Sequence, residues 1–294
     1  MSTATIDNKV IQVVSNIRNL PTPPIVFHQI QKVINDPNCS ASRVAAILSE
    51  DPAMSVKVLK LTNSAFYGFA REIDSVKQAV VVVGMEAIKN LVLSASVMDM
   101  FKGDSIDQDF QERYWRHSLA TAYCCRILAQ KVKSRGVIDL DSAFSTGLLH
   151  DVGKMVISCF LKKEQDLLTA ARSVDSAASD FELEDRVLGF NHAQLGGVLV
   201  AQWKLPQKLN DAITFHHYPL LADSDDPLVF LVYLANYLSK KTFIDEDEVS
   251  MIGTVDKSIL EYLQLTEDDL DEFSEILREE YLKAETFMQM AGLK

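Results

Sequence analysis

Residues 79–100 read Ala79-Val80-Val81-Val82-Val83-Gly84-Met85-Glu86-Ala87-Ile88-Lys89-Asn90-Leu91-Val92-Leu93-Ser94-Ala95-Ser96-Val97-Met98-Asp99-Met100, and their reading decides the fold class. The valine run could form a short strand on its β-branched content. Gly84 bounds it, however, and helical patterns flank it, so residues 80–83 are expected to be a buried helix end. From Met85 to Met100, Ile88, Leu91, Val92 and Ala95 recur at the spacing of an amphipathic helix. With this segment helical, nearly every other segment agrees, and the expected fold class is all-α.

Toward the N-terminus, Pro23-Pro24 opens a helix, since proline fits the first turn, and Val26, Ile30 and Val33 follow at helical spacing. Ser40 caps a helix over 41–49, with Val44, Ile47 and Leu48 on one side. Asp51-Pro52 repeats that grammar, and the pattern runs toward Asn63. Asn63 and Gly68 are expected to cap and turn the backbone. Phe66, Tyr67 and Phe69 either join the core or anchor a partner.

Toward the C-terminus, the polar stretch 102–109 marks a boundary between two helical units. Helices are expected over 111–131, 142–150, after Asp151, over 181–188, 192–203, from Leu205-Pro206 to near His217, and over 227–240. Thr266-Glu267-Asp268-Asp269 has the form of a capping box ahead of an acidic amphipathic helix reaching Met290. The expected division is an N-terminal helical subdomain over 1–103, a helical bundle over 104–240 and a helical extension over 241–294.

The chain has 294 residues, with 29 Lys and Arg against 41 Asp and Glu, a net charge of −12. That balance argues against gripping nucleic acid or docking on anionic lipid, both of which need a basic face. A local basic pocket for one small phosphate remains allowed. No apolar run approaches a membrane span, and Met1 to Asp7 lacks the basic start and apolar run of a secretory signal. Four cysteines (Cys39, Cys124, Cys125, Cys159), with no CxxC spacing, are too few for a disulfide scaffold. The expectation is a cytoplasmic protein with reduced thiols.

Five of the six histidines lie in the second unit, after the 102–109 boundary: His117, His150, His192, His216 and His217. His150-Asp151 sits in Gly147-Leu148-Leu149-His150-Asp151-Val152-Gly153-Lys154. An imidazole and a carboxylate side by side at a helix junction can reach one divalent cation. Lys154 would share the face of Asp151 if the helix continues, and could hold a phosphate bound to that metal. Taken singly, each histidine also reads as a hydrogen-bonded core residue. On a regular helix His216 and His217 could not both face one site; a helix end between them and the helix would be needed. Asn191-His192 also reads as a helix N-cap region.

Taken together, Tyr114-Trp115-Arg116-His117-Ser118, His150-Asp151-Val152-Gly153-Lys154, Asn191-His192-Ala193-Gln194-Leu195-Gly196, Trp203-Lys204-Leu205-Pro206 and His216-His217 resemble the HD superfamily of metal-dependent phosphohydrolases. Leu20-Pro21-Thr22-Pro23-Pro24, Asp51-Pro52-Ala53-Met54 and Leu61-Thr62-Asn63-Ser64-Ala65-Phe66-Tyr67-Gly68 narrow this. They resemble the HDOD family, HD-related output domains of bacterial signalling proteins. The resemblance runs from about Leu20 to Leu238.

In the related HD-GYP phosphodiesterases, the positions matching His117, His150, Asp151, His192, His216 and His217 ligate metal, and the position of Lys154 contacts substrate phosphate. The resemblance thus implies a divalent transition metal, iron or manganese, as one or two ions. One would rest on His117, His150 and Asp151, and a second on His192 and His216. Two positions depart from the pattern. Arg113 stands where those enzymes place a glutamate ligand, and Asn236 where the superfamily has its closing aspartate. Asn236 can offer a carbonyl oxygen but no charge; Arg113 would repel a metal and could bind phosphate or pair with Asp151. The residues after His217 lack the GYP signature.

The implied function is a bacterial signal-transduction module with a degenerate metal centre, acting by binding or scaffolding. A signalling protein would be its partner, and a small phosphorylated ligand is compatible with it. The alternative is a phosphohydrolase acting on a nucleotide or cyclic dinucleotide, with Lys154 as its phosphate contact.

Overall fold

The computed structural model describes residues 8–17, 20–101, 106–132, 138–224, 226–243 and 254–291. Its helices are, in order, α1 (Asn8–Asn16), α2 (Ile25–Ile34), α3 (Ala41–Ser49), α4 (Pro52–Thr62), α5 (Val76–Val83), α6 (Met85–Met100), α7 (Gln108–Lys131), α8 (Leu140–Leu149), α9 (Val152–Phe160) and α10 (Lys162–Val174). There follow α11 (Asp180–Leu188), α12 (His192–Gln202), α13 (Gln207–Thr214), α14 (Pro227–Phe243), α15 (Lys257–Leu263), α16 (Glu267–Tyr281) and α17 (Glu285–Ala291). Short 3-10 turns cover Pro219–Leu221 and Leu282–Ala284. The described residues contain no strand, so the fold is all-α.

The chain divides into two compact units, one of Met1–Leu20 with Asp104–Arg278 and the other of Pro21–Gly103 with Glu279–Lys294. In the second, α3 packs on α2 and α5, α4 on α6, and α17 on α4 and α6. The starts of α3, α4 and α5 are set by side-chain caps, which satisfy first-turn N–H groups that lack a helical partner. Arg43 N–H donates to Ser40 Oγ, Met54 N–H to Asp51 Oδ1 and Gln78 N–H to Ser75 Oγ. Asn63 caps α4 and also ties down the following loop, its amide donating to Ile73 O (2.8 Å) and its oxygen accepting from Ile73 N–H (2.8 Å). Phe66 is buried against Phe287, whereas Phe69 is exposed and stacks on Tyr67.

The valine run is helical as expected, but only its first valine is buried. Ala79 and Val80 are buried, whereas Val81 and Val82 are exposed. Gly84, at φ +101°, then bends the chain sharply into α6, in a region of φ that favours glycine. The expected C-terminal helix to Met290 is interrupted by the turn at Leu282–Ala284. Of the polar stretch 102–109, residues 102–105 lie outside the described residues.

The larger unit is built around α7, which packs on α8 and α14, while α12 packs on α9, α13 and α1. Trp115 and Trp203 are fully buried in it. Two capping boxes start consecutive helices there, Ser179 with Glu182 and Asn191 with Gln194. Gly189 turns between them at φ +69°. The approach of α9 to α12 requires Gly153, since a Cβ there would sit 2.0 Å from His192 O. All four cysteines are free, with Cys124 and Cys125 buried. Among the described residues no single helix is long and apolar enough to cross a membrane.

Candidate metal centre

Five segments of the larger unit converge on Asp151. The α8–α9 junction contributes His150, which caps α8, and Asp151, which begins α9. His117 comes from the middle of α7, His192 from the first position of α12, and Asn236 from α14. His216 and His217 follow α13, which ends at Thr214. Because the helix stops before them, adjacent imidazoles can point to one place.

The Asp151 carboxylate is shared. Its Oδ1 lies 3.0 Å from His192 Nε2, 3.4 Å from His216 Nε2 and 3.5 Å from His150 Nε2. Its Oδ2 lies 2.8 Å from Lys154 Nζ and 3.7 Å from His117 Nε2. His217 Nε2 is 3.0 Å from His192 Nε2, and His117 Nε2 is 3.2 Å from His150 Nε2. Two groups result, Asp151 with His192, His216 and His217, and Asp151 with His117 and His150, each close enough to hold one ion. Asn236 lies beside His117.

The outer nitrogens explain why the inner ones converge. His150 Nδ1 is 2.7 Å from Gly147 O, and His216 Nδ1 is 2.7 Å from Ile213 O. A carbonyl only accepts, so each Nδ1 carries the hydrogen and each Nε2 presents its lone pair inward. His192 is oriented by Glu184, whose Oε2 accepts from His192 Nδ1 (2.6 Å) and from its backbone N–H (2.7 Å). Such outer partners fix the ring orientation and basicity of metal-binding histidines.

Burial holds His117, His150, His216 and His217 in the neutral form, with His117 pushed down to about 3. His192 goes the other way. Burial opposes its charge, but Glu184 and then Asp151 outweigh that and raise it to about 9. Burial would raise Asp151, yet His150, Lys154 and His192 hold it well below the usual carboxylate range. Lys154 is raised despite burial, by Asp151 and Asp180.

The donor set fits a divalent transition metal. Inward lone pairs 3.0–3.2 Å apart need a cation between them, whether proton or metal. His216 Nε2 and Asn236 Oδ1 are buried with no hydrogen-bond partner, and a buried polar atom without one is costly. Imidazole with a single carboxylate suits a divalent transition ion such as iron better than magnesium or calcium.

A cleft of about 480 Å³ opens beside the His117 side, lined by Phe110, Arg113, Tyr114, Lys154, Leu168, Arg172, Asp180 and Lys240 among others. Arg113 is exposed at this cleft, and Lys154, not Arg113, is the cation paired with Asp151. Asp180 lies 3.5 Å from Lys154 and 2.5 Å from Arg172. Glu184 and Asp180 have no motif that announces them. The available sign was Glu184 falling on the apolar stripe of α11 with Phe181 and Leu188.

Fold and site together define an all-helical domain organised around an adjacent histidine and aspartate. The chain matches the HDOD domain over residues 20–219, and it belongs to that family. An uncharacterized protein of Treponema pallidum (strain Nichols) is 27% identical over 228 residues, covering 76% of this chain and 43% of the relative. The chain spans less than half the length of the curated relatives it matches. Its fold is similar to a provisionally named phosphohydrolase of Shewanella amazonensis SB2B, at TM-score 0.74 and 24% identity, covering 96% of this chain and 98% of that one. It is also similar to a provisionally named signal transduction protein of Marinobacter aquaeolei VT8, at TM-score 0.74 and 20% identity, covering 99% and 69%. At these identities the likeness shows the fold.

Proposed function

We propose that this HDOD protein is a signalling module whose histidine–aspartate centre binds a divalent transition metal, iron or manganese, and acts by binding rather than turnover. The supporting observation is the inward-facing set of Nε2 atoms around the shared Asp151 carboxylate, with His216 Nε2 buried and unpartnered. The proposed ligands are His117, His150, Asp151, His192, His216, His217 and Asn236. A bound ion would supply a Lewis-acidic centre for the oxygens of a small phosphorylated ligand.

The chain's own residues divide the remaining work. Glu184 positions His192, Gly147 O and Ile213 O position His150 and His216, and Lys154 faces the cleft from Asp151. Lys154 occupies Oδ2, the oxygen that His117 also faces, so an ammonium already sits on that side of the carboxylate. Oδ1 faces no lysine and lies beside His192 and His216, with His217 next to His192, so the proposed ion favours that half. Asn236 brings no charge and Arg113 brings the wrong one, which favours binding over hydrolysis. A phosphohydrolase reading is favoured only by the sharing of Asp151 between two groups, the arrangement a two-metal clamp uses. A signalling protein is the proposed partner of the whole module.

Elemental analysis of the chain purified without chelator or histidine tag, beside Asp151→Ala, tests this reading. One or two ions per chain, lost in the variant, are expected. No metal in either sample after iron or manganese loading would overturn it. Turnover of a phosphodiester by the loaded protein, abolished in Asp151→Ala, would replace binding by hydrolysis.

A further inference from the structure

The cleft beside the centre carries more positive charge than its own carboxylates neutralise. Asp151 is engaged by Lys154 and His192, Asp180 by Arg172 and Lys154, and Glu184 by His192. Two cations in the lining, Arg113 and Lys240, form no ion pair with a carboxylate among the described residues, although Asp151 and Asp180 attract Lys240 from a distance. In a chain of net charge −12, uncompensated cations in a concave site are notable. Lys240 is partly buried, and burial together with nearby Lys154 lowers its affinity for a proton. An anion between the two ammonium groups would relieve both effects.

An independent feature points the same way. Tyr114 also lines this cleft, is only 5% exposed, and its hydroxyl, with Ser118 nearby, completes no hydrogen bond. Burial and Asp151 keep that hydroxyl protonated, so it offers a donor. Phe110 and Leu168 add apolar wall, and about 480 Å³ suits a small organic molecule. Arg113 lies one turn before His117 on α7, at the exposed end of the cleft.

We propose that Lys240 and Arg113 select the ligand of this cleft, which is a small organic diphosphate. Lys240 and Tyr114 share its inner phosphate with Lys154, and Arg113 holds the outer one. The assignment extends the phosphorylated-ligand reading above, but needs no metal for its own contacts.

Calorimetric titration of the full-length chain with pyrophosphate and with inorganic phosphate tests it, on protein as purified and after chelator treatment. Pyrophosphate is expected to bind at least about tenfold more tightly than phosphate in both samples. Arg113→Gln should abolish that preference and leave phosphate binding unchanged, while Lys240→Gln weakens both probes about tenfold. Lys208→Gln, on the exposed surface of α13, should alter neither. Equal affinity for the probes, no binding of either, an unchanged preference in Arg113→Gln, or equal losses in Lys208→Gln and Lys240→Gln would each overturn the assignment. Thermal unfolding of each variant separates lost binding from lost fold. Metal content is measured separately, so a failure here leaves the metal reading standing, and a metal-free protein that still prefers pyrophosphate fails only that reading.

Discussion

Glu184 receives both N–H groups of His192, the ring Nδ1 at 2.6 Å and the backbone nitrogen at 2.7 Å, through a single oxygen. One carboxylate thus fixes both the start of α12 and the direction of the His192 ring, a proposed ligand. Glu184→Gln keeps the shape but removes the charge. Metal affinity should fall roughly 10–100-fold, the usual cost of losing an outer partner. Competition against a chelator of known affinity measures this; unchanged affinity would assign Glu184 to helix capping alone.

Metal uptake should depend on pH in a defined direction. With its affinity raised to about 9, His192 is protonated at neutral pH in the metal-free chain. A metal must displace that proton, so affinity rises with pH up to about 9, and about one proton is released per ion bound at this residue. Calorimetry in buffers of differing ionisation enthalpy counts the protons. Uptake without proton release would contradict the assignment.

The metal-free chain should be most stable between two limits. His192 binds its proton more tightly folded than unfolded, so its contribution is full below its ordinary 6.5 and fades as pH rises through about 9. His117 binds less tightly folded, so stability drops as pH falls below 6.5 toward about 3, where the unfolded chain takes up the proton first. Thermal midpoints measured across this range after chelation should fall on both sides; a flat profile would refute both assignments.

Gly153→Ala and Gly197→Ala should differ in severity. The new Cβ at 153 meets the fixed backbone oxygen of His192 at 2.0 Å, whereas at 197 it meets the Thr214 hydroxyl, which can rotate away. The first should cost roughly 1–3 kcal/mol or more and displace His192; the second should cost less. Chemical denaturation compares them, and equal losses would sink the distinction.

Asn63→Ala should cost about 1–3 kcal/mol, because Ile73 loses partners for both its N–H and its C=O. Urea unfolding reads this. A loss below the error of the measurement would mean that water replaces the amide.

Much of the helical register could be read from local chemistry. Helices over 41–49 and 85–100 begin and end where Ser40, Gly84 and the apolar spacing place them. Local chemistry says less about which helix packs on which. Helix α1 lies on α12, and α17 packs with α4 and α6, through contacts far apart in the chain. Val81 and Val82 are exposed because hydrophobicity alone does not report which face of a short helix has a neighbour. That the histidines and Asp151 form one candidate cluster was legible through their types and order, and the structure brings them together. Glu184 was legible only as a glutamate on the apolar stripe of α11, since its partner eight residues away leaves no motif.

The backbone carbonyls of Gly147 and Ile213 hold two of the imidazoles. Every residue supplies a carbonyl, so only a substitution that shifts the backbone can delete these two restraints, as a side chain at Gly147 would by meeting Ala122 Cα at 2.8 Å. The restraint on His192 is different, because it hangs on the single codon for Glu184. Under mutational drift the centre is therefore robust on one side and fragile on the other. A lineage that abandoned metal would be expected to lose the His192 side first, keeping His150 and His216 in ligand-ready orientation as a trace of the former site.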